Sequence, residues 1–391
     1  MNHPLLGPAA AEALAAAMAE TDPGSLAAAS RLRARFDPDL AAAALTQAAL
    51  RRRARGKFGS AAETMWFTPD GLEQASRPTV ARWRAARLAA AGVRRVVDLG
   101  CGIGADARAF LAAGLEVIAV ERDESTAALA RANLPTARVL AAAAEDVATE
   151  LLAGTGAETA IFLDPARRTA QGRSWRIADL SPAWGFVRQM LAAGHPICVK
   201  LGPGLPRELI PPGVEACWVS ERGAVLETGL WRLPGQEPGG VALLLPGGHR
   251  LAAATAATGL PVRPPGRYLL EPDGAVIRAR AIDRICADAW LLAEGVAYLS
   301  CDRAVVTPFA TCFEICEVLD ASERGLRAWL RVNQVGALEI KKRAVDIDPA
   351  MLRRRLRPVG PGAATIVLAR TTAGVRALVV RRCPADASQG C

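Results

Sequence analysis

The sequence predicts an α/β protein: a parallel sheet with helices on both faces, a helical segment before it and a small α+β domain after it. Three observations carry this. Between residues 94 and 200 five short apolar runs alternate with helical stretches. Before residue 91 the chain is alanine-rich and helical in composition. Beyond a proline-rich stretch at 259–268 helices and strands mix again. Strands separated by helices pair in parallel, because a parallel connection needs a crossover that a helix supplies.

Taken in order, residues 9–55 hold alanine runs interrupted at "TDPGS" and "FDPD". Each interruption offers an acid or hydroxyl as the cap of the next helix. The segment closes in the basic "RRRARGKFG", Arg51 to Gly59. In "MWFTPDGLEQAS", Trp66 and Phe67 either form a lid over a site or pack the helical core, and a further helix is expected over 74–91. The strands are "RRVVDLG", "EVIAVE", "ARVLAAA", "ETAIFLDP" and "HPICVKLG". From residue 214, "VEACWVSERGAVLETGLWRL" and "GGVALLLPGG" read as three strands forming an antiparallel edge. The expected division is a helical segment 1–90, a sheet domain 91–258 and an α+β domain 266–383.

Composition narrows the function. With 391 residues and 51% hydrophobic content there is material for two or three cored domains. No stretch approaches the roughly 20 apolar residues of a membrane span, and the N-terminus lacks a basic leader, so no membrane is expected. Nine cysteines and three histidines show no zinc spacing, which points to reduced thiols in a cytoplasmic protein and to no metal. The net charge of +9 is less informative than its clustering. From Glu323 to Arg357 ten basic residues face four acids. Lys341, Lys342 and Arg343 end a strand, and a second cluster rides the helix opened by Asp348 and Pro349. Such a local excess suits a phosphate-bearing partner.

"VVDLGCGIGADARAF" is a strand, a glycine turn and a helix start. Gly100, Gly102 and Gly104 have the spacing G-x-G-x-G, not the G-x-G-x-x-G of a dinucleotide site. Asp98 would repel a pyrophosphate. It would attract the ammonium and sulfonium of S-adenosylmethionine. Glu121, ending the second strand, is placed to accept from two ribose hydroxyls. Asp146, after the third, could accept from an adenine amine, with Glu145 an equal neighbour.

These residues resemble the class I S-adenosylmethionine-dependent methyltransferases. "KFG", "MWFTPDGLEQAS", "FLDPARR", "VKLGPGL", "YLLEPDGAVIRA", "TPFATCFEICEVL" and "LEIKKRAVDIDPAMLRRRL" further resemble bacterial methyltransferases with a C-terminal THUMP-like domain. The likeness implies a Rossmann-like catalytic sheet, S-adenosylmethionine as cofactor and an RNA substrate such as tRNA or rRNA. It leaves the oligomeric state open.

Asp164 ends the fourth strand, on the rim where ligands bind in such sheets. Amino-group methyltransferases carry there an Asp or Asn, two prolines and an aromatic; this chain has Asp164-Pro165-Ala166-Arg167. Asp164 and Pro165 would hold the acceptor, aiming its nitrogen. Arg167 could stack on a base or clamp a phosphate. Lys200 could bind a phosphate, pair with Asp164 or be a solvated strand-end lysine. Cys198, inside its strand, reads as a buried structural thiol, which disfavours covalent C5 chemistry. The expected reaction is N-methylation of a base in structured RNA. Its rivals are a methyltransferase acting on a small molecule or protein, and a non-catalytic RNA-binding protein.

Overall fold

The computed structural model describes residues 4–7, 10–167, 177–254 and 259–384. Contacts divide the chain into two compact units, Met1–Glu215 with Glu227–Pro238, and Ala216–Leu226 with Gly239–Cys391.

The first unit opens with α1 (Ala10–Ala19), α2 (Leu26–Arg33) and α3 (Pro38–Phe58). Their alanines explain the packing: Ala13, Ala17, Ala28, Ala41, Ala44 and Ala48 are completely buried and let the helix backbones approach closely. The turn signals work as caps. Ser25 accepts from the Ala28 amide, and Asp37 accepts from Asp39 and Leu40 with Pro38 at the first helical position. α4 (Pro69–Gln74), capped by Thr68, and α5 (Pro78–Ala90) follow.

Next come β1 (Arg95–Leu99), α6 (Ala105–Ala112), β2 (Glu116–Glu121), α7 (Glu124–Asn133), β3 (Arg138–Ala141), α8 (Ala144–Leu152) and β4 (Thr159–Leu163). A two-residue ladder, β5 (Ala166–Arg167) with β6 (Leu180–Ser181), precedes α9 (Trp184–Ala192) and β7 (Ile197–Leu201). The five apolar runs therefore land on β1, β2, β3, β4 and β7. After β8 (Glu215–Glu221), β9 (Ala224–Arg232) lays Thr228–Arg232 antiparallel along β7. The order in this unit is β9-β7-β4-β1-β2-β3. All five residues of β4 are buried, as a strand covered on both faces requires. β1 lies between β2 and β4, so the chain reverses its direction of winding there, and the crevice at the carboxyl ends of β1 and β4 is where such sheets bind ligands.

One buried cluster ties the helical segment to the sheet. Arg84 of α5 is 1% exposed, pairs with Asp106 of α6 and Glu227 of β9, and holds its guanidinium 4.9 Å from the Phe162 ring centroid. Arg87, one turn on, bonds Glu215 at 2.6 Å.

The second unit contains β10 (Gly239–Leu245), β11 (His249–Ala252), β12 (Tyr268–Pro272), α10 (Gly274–Ala279), β13 (Trp290–Leu291), β14 (Leu299–Cys301) and β15 (Ala310–Asp320). It ends with α11 (Glu323–Val332), β16 (Val335–Arg343), α12 (Pro349–Leu356), β17 (Gly362–Thr371) and β18 (Gly374–Arg382). Seven strands form a sheet in the order β13-β14-β12-β15-β18-β17-β16, with β16 parallel to β17. Leu326, Leu330, Leu352 and Leu356 of α11 and α12 share a core with β16–β18. Asp348 caps α12 with Pro349 first in the helix. Residues 239–254 group with this unit by contact. Among the described residues no helix is long and apolar enough to cross a membrane.

Candidate functional site

The glycine turn leaves β1 with φ of 102° at Gly100, 55° at Gly102 and 82° at Gly104. L side chains avoid that region. At Gly104, which opens α6, a side chain is doubly excluded, because a Cβ would lie 2.7 Å from Leu134 Cδ1. The turn borders a cavity of about 360 Å³ whose wall includes Gly100, Gly102, Glu121, Glu145 and Asp164. Glu121 is held from two sides: Oε2 accepts from the Gly102 amide at 3.0 Å and Oε1 from the Asp123 amide at 2.9 Å.

Asp98 is completely buried, and neither carboxylate oxygen has a hydrogen-bond partner among the described residues. Burial, then the charges of Asp106 and Asp164, hold its carboxyl well above the usual range. A buried acid with no donor is costly unless something nearby is positively charged. Asp98 does not itself line the cavity. A cavity walled by bare backbone at the glycines, with acids at Glu121 and Asp164 and Asp98 behind, fits a cationic ligand with ribose hydroxyls. S-adenosylmethionine is one.

Asp164 follows β4 directly and lines the same cavity. Its Oδ2 accepts from Lys200 Nζ at 2.5 Å, and the ammonium also donates to the Gln74 carbonyl at 3.2 Å. Burial works against the charge on Lys200, but Asp164, Asp106 and Glu227 outweigh it and raise its pKa. Of the roles open to Lys200, the structure displays the pairing with Asp164.

Gln74 belongs to α4, and this helix is the part of the site that sequence reading missed. Thr68, Asp70, Gly71, Gln74 and Ala75 all line the cavity. α4 sits directly on the glycine turn; a Cβ on Gly71 would meet Ile103 Cγ2 at 2.5 Å. Its last carbonyls are capped by two lysines. Lys57 Nζ donates to Leu72 at 2.9 Å and Glu73 at 3.3 Å, and Lys200 takes Gln74. Burial, then Lys200 and Arg77, lower the Lys57 pKa to about 8. The signal was in the sequence as "TPDGLEQ", a cap, an N1 proline and a glycine able to lie flat on a neighbouring loop.

Other expected residues fall elsewhere. Asp146 is exposed and does not line the cavity, whereas its neighbour Glu145 does. Pro165 is buried, and Ala166 reaches the cavity wall. The Arg167 backbone pairs in β5, but its side chain and all of Arg168 lie outside the described residues. Cys198 is buried, and burial pushes its thiol up to about 12. Phe67 is 3% exposed in a core with Ile103, and Trp66 stacks under Arg51 at 4.9 Å, so of their two roles the pair takes core packing.

In the second unit the basic run splits by strand alternation. Lys341 and Arg343 line a cavity of that unit, while Lys342 is exposed and does not. A separate cleft of about 740 Å³ is lined by Arg327, Arg331, Arg354, Arg355 and Arg357. Glu323 is its neighbouring acid, pairing Arg327 at 3.5 Å and Arg355 at 3.1 Å.

Comparison with known proteins accords with this geometry. A family model described as THUMP domain-like matches residues 310–382, and one described as a domain of unknown function matches 3–54. The chain is 34% identical over 357 residues to an uncharacterized S-adenosylmethionine-dependent methyltransferase of Mycobacterium tuberculosis CDC 1551, covering 88% of this chain and 96% of that protein. The H37Rv counterpart matches with the same figures. A crystal structure of a protein from Porphyromonas gingivalis W83 assigned as a methyltransferase superposes with a TM-score of 0.74 at 21% identity, covering 95% of this chain and 98% of that one.

Proposed function

The chain belongs to the S-adenosylmethionine-dependent methyltransferases, and from that premise we propose that it methylates a base nitrogen of structured RNA, tRNA or rRNA. Bound S-adenosylmethionine supplies an electrophilic methyl carbon. The chain's own groups hold and aim the nucleophile. In this reading Gly100, Gly102 and Gly104 admit the cofactor close to the backbone, Glu121 takes its ribose, Asp98 biases the site toward its positive end, and Asp146 or Glu145 flanks the adenine.

The observation that carries the acceptor assignment is the Asp164–Lys200 pair on the wall of the cofactor cavity. Lys200 fixes Oδ2 and leaves Oδ1 of Asp164 to accept an N–H of an exocyclic amine. Binding that hydrogen orients the nitrogen lone pair, and most of the rate gain then comes from positioning. Pro165 stiffens the turn. Arg167 would meet the base or its phosphate, as Lys341, Lys342 and Arg343 would meet the RNA from the second unit.

RNA as the acceptor is supported by the THUMP domain-like match and by the five-arginine cleft on α11 and α12. Guanidinium groups facing one acid attract a phosphodiester backbone. The eight described cysteines are free thiols, which supports a cytoplasmic setting.

The test is transfer of tritium from methyl-labelled S-adenosylmethionine to RNA of a strain lacking this protein, followed by mass spectrometry of its nucleosides. One methylated nucleoside absent from untreated RNA is the expected result. Label appearing in small molecules or protein but not in RNA would sink the RNA assignment.

A further inference from the structure

The second unit carries an open cavity of about 970 Å³, within the size range of small-molecule sites. Its charged wall carries four cations, Arg222, Lys341, Arg343 and Arg382, against two carboxylates, Glu271 and Asp273. Both carboxylates are already engaged. Glu271 accepts from the Tyr298 hydroxyl at 2.9 Å and from Lys341 Nζ at 2.7 Å. Asp273 accepts from the Ser220 hydroxyl at 2.9 Å and from the Ala275 amide at 2.8 Å, capping α10.

Three guanidinium groups have no carboxylate partner, although Arg343 also interacts with the Tyr298 hydroxyl. Arg222, Arg343 and Arg382 have no ion pair among the described residues. Arg343 lies 5.1 Å from the Tyr298 ring centroid, and its Nε is buried without an acceptor among the described residues. A buried donor lacking an acceptor is destabilising, and a ligand oxygen would satisfy it. The remaining ionisable side chains on the wall are His249 and the thiols of Cys312 and Cys383. Burial and the neighbouring Cys312 push Cys383 up to about 11, so that thiol is uncharged near neutrality and does not oppose an anion.

Four cations less two carboxylates leave an excess of two positive charges on the wall. We propose that this cavity binds a phosphate monoester, whose charge of about −1.5 to −2 at neutral pH offsets that excess. Arg343 and Arg382 would grip the phosphate oxygens, with Arg222 as the third cation. The monoester is either that of a free nucleotide or the terminal phosphate of a nucleic-acid strand. The inference does not depend on which molecule accepts the methyl group.

The experiment is calorimetry on the full chain saturated with S-adenosylhomocysteine, so that the cofactor cavity is filled. The probes are uridine 5′-monophosphate, uridine, and short oligouridines with and without a 5′-phosphate. The phosphorylated member of at least one pair should bind ten or more times tighter than its partner. The Arg222→Gln/Arg382→Gln variant, altered at two exposed positions, should lose at least tenfold for that probe while keeping its affinity for S-adenosylhomocysteine. Binding confined to the mononucleotide assigns the free-nucleotide source, and equal or tighter binding of the phosphorylated oligomer assigns the strand end. Equal binding with and without phosphate, unchanged binding in the double variant, or no binding at low millimolar concentrations would overturn the proposal.

Discussion

Lys200 and Asp164 pair at 2.5 Å one residue beyond the Leu163–Val199 register pair of β4 and β7. Because neighbouring parallel strands keep one register, these two side chains reach the same rim at the same height. The Lys200 ammonium also holds the last carbonyl of α4. One cation thus joins the Asp164 carboxylate to a helix from outside the sheet.

Replacing Asp164 by Asn keeps its shape and removes its charge. If Oδ1 holds the acceptor amine, methyl transfer should fall by roughly 10²–10⁴-fold, with little change in affinity for S-adenosylhomocysteine. Single-turnover transfer and calorimetry measure the two separately. A parallel loss of cofactor affinity would move Asp164 into the cofactor site.

Asp98 gives a pH prediction. Its carboxyl is held well above the usual range in the free protein. A cationic cofactor favours the ionised form, so binding should release protons, and affinity should rise with pH across the interval between the free and bound pKa values. Calorimetry of S-adenosylmethionine in buffers of different ionisation enthalpy reads the release directly. Asp98→Asn should abolish it.

How much of this was legible beforehand depends on sequence distance. The glycine turn, Asp98, Glu121 and Asp164 could be placed because each ends or follows a strand whose period is local. Lys200 could be suspected of pairing with Asp164 because both end strands of one sheet. The helix α4 itself was signalled by "TPDGLEQ", but its place over the glycine turn was not, since that rests on Gly71 meeting Ile103 and on lysines at 57 and 200. The charge count merged Lys341, Lys342 and Arg343, whereas strand alternation in the structure parts Lys341 and Arg343 from Lys342. Nothing local marked Arg84, whose partner Glu227 is 143 residues away.

That arginine supplies a stability prediction. Arg84→Met leaves Asp106 and Glu227 as buried carboxylates without their cation. Breaking a buried pair from one side costs about 3–5 kcal/mol. Urea unfolding should show a loss of that size. Adding Asp106→Asn and Glu227→Gln should recover part of it, because neutral amides no longer need the guanidinium.

Lys57 makes the last prediction, and its sign runs opposite to that of an ordinary paired lysine. Its pKa falls from 10.5 to about 8 in the folded chain, first through burial and then through Lys200 and Arg77. Asp106 and Glu73 act the other way without prevailing. Between those two values the unfolded chain holds the extra proton, so stability should rise with pH across that window. Below pH 8 the full cost of burying the charge is present. The cap on α4 survives deprotonation, because a neutral amine still donates to the Leu72 and Glu73 carbonyls. Lys57→Met removes both the titration and the cap. Urea unfolding of the two proteins at pH 7, 8, 9 and 10 should therefore give a stability difference that widens with pH in favour of the native lysine. A difference that stays flat would place the Lys57 pKa near its ordinary value and deny it a buried charge beside the site.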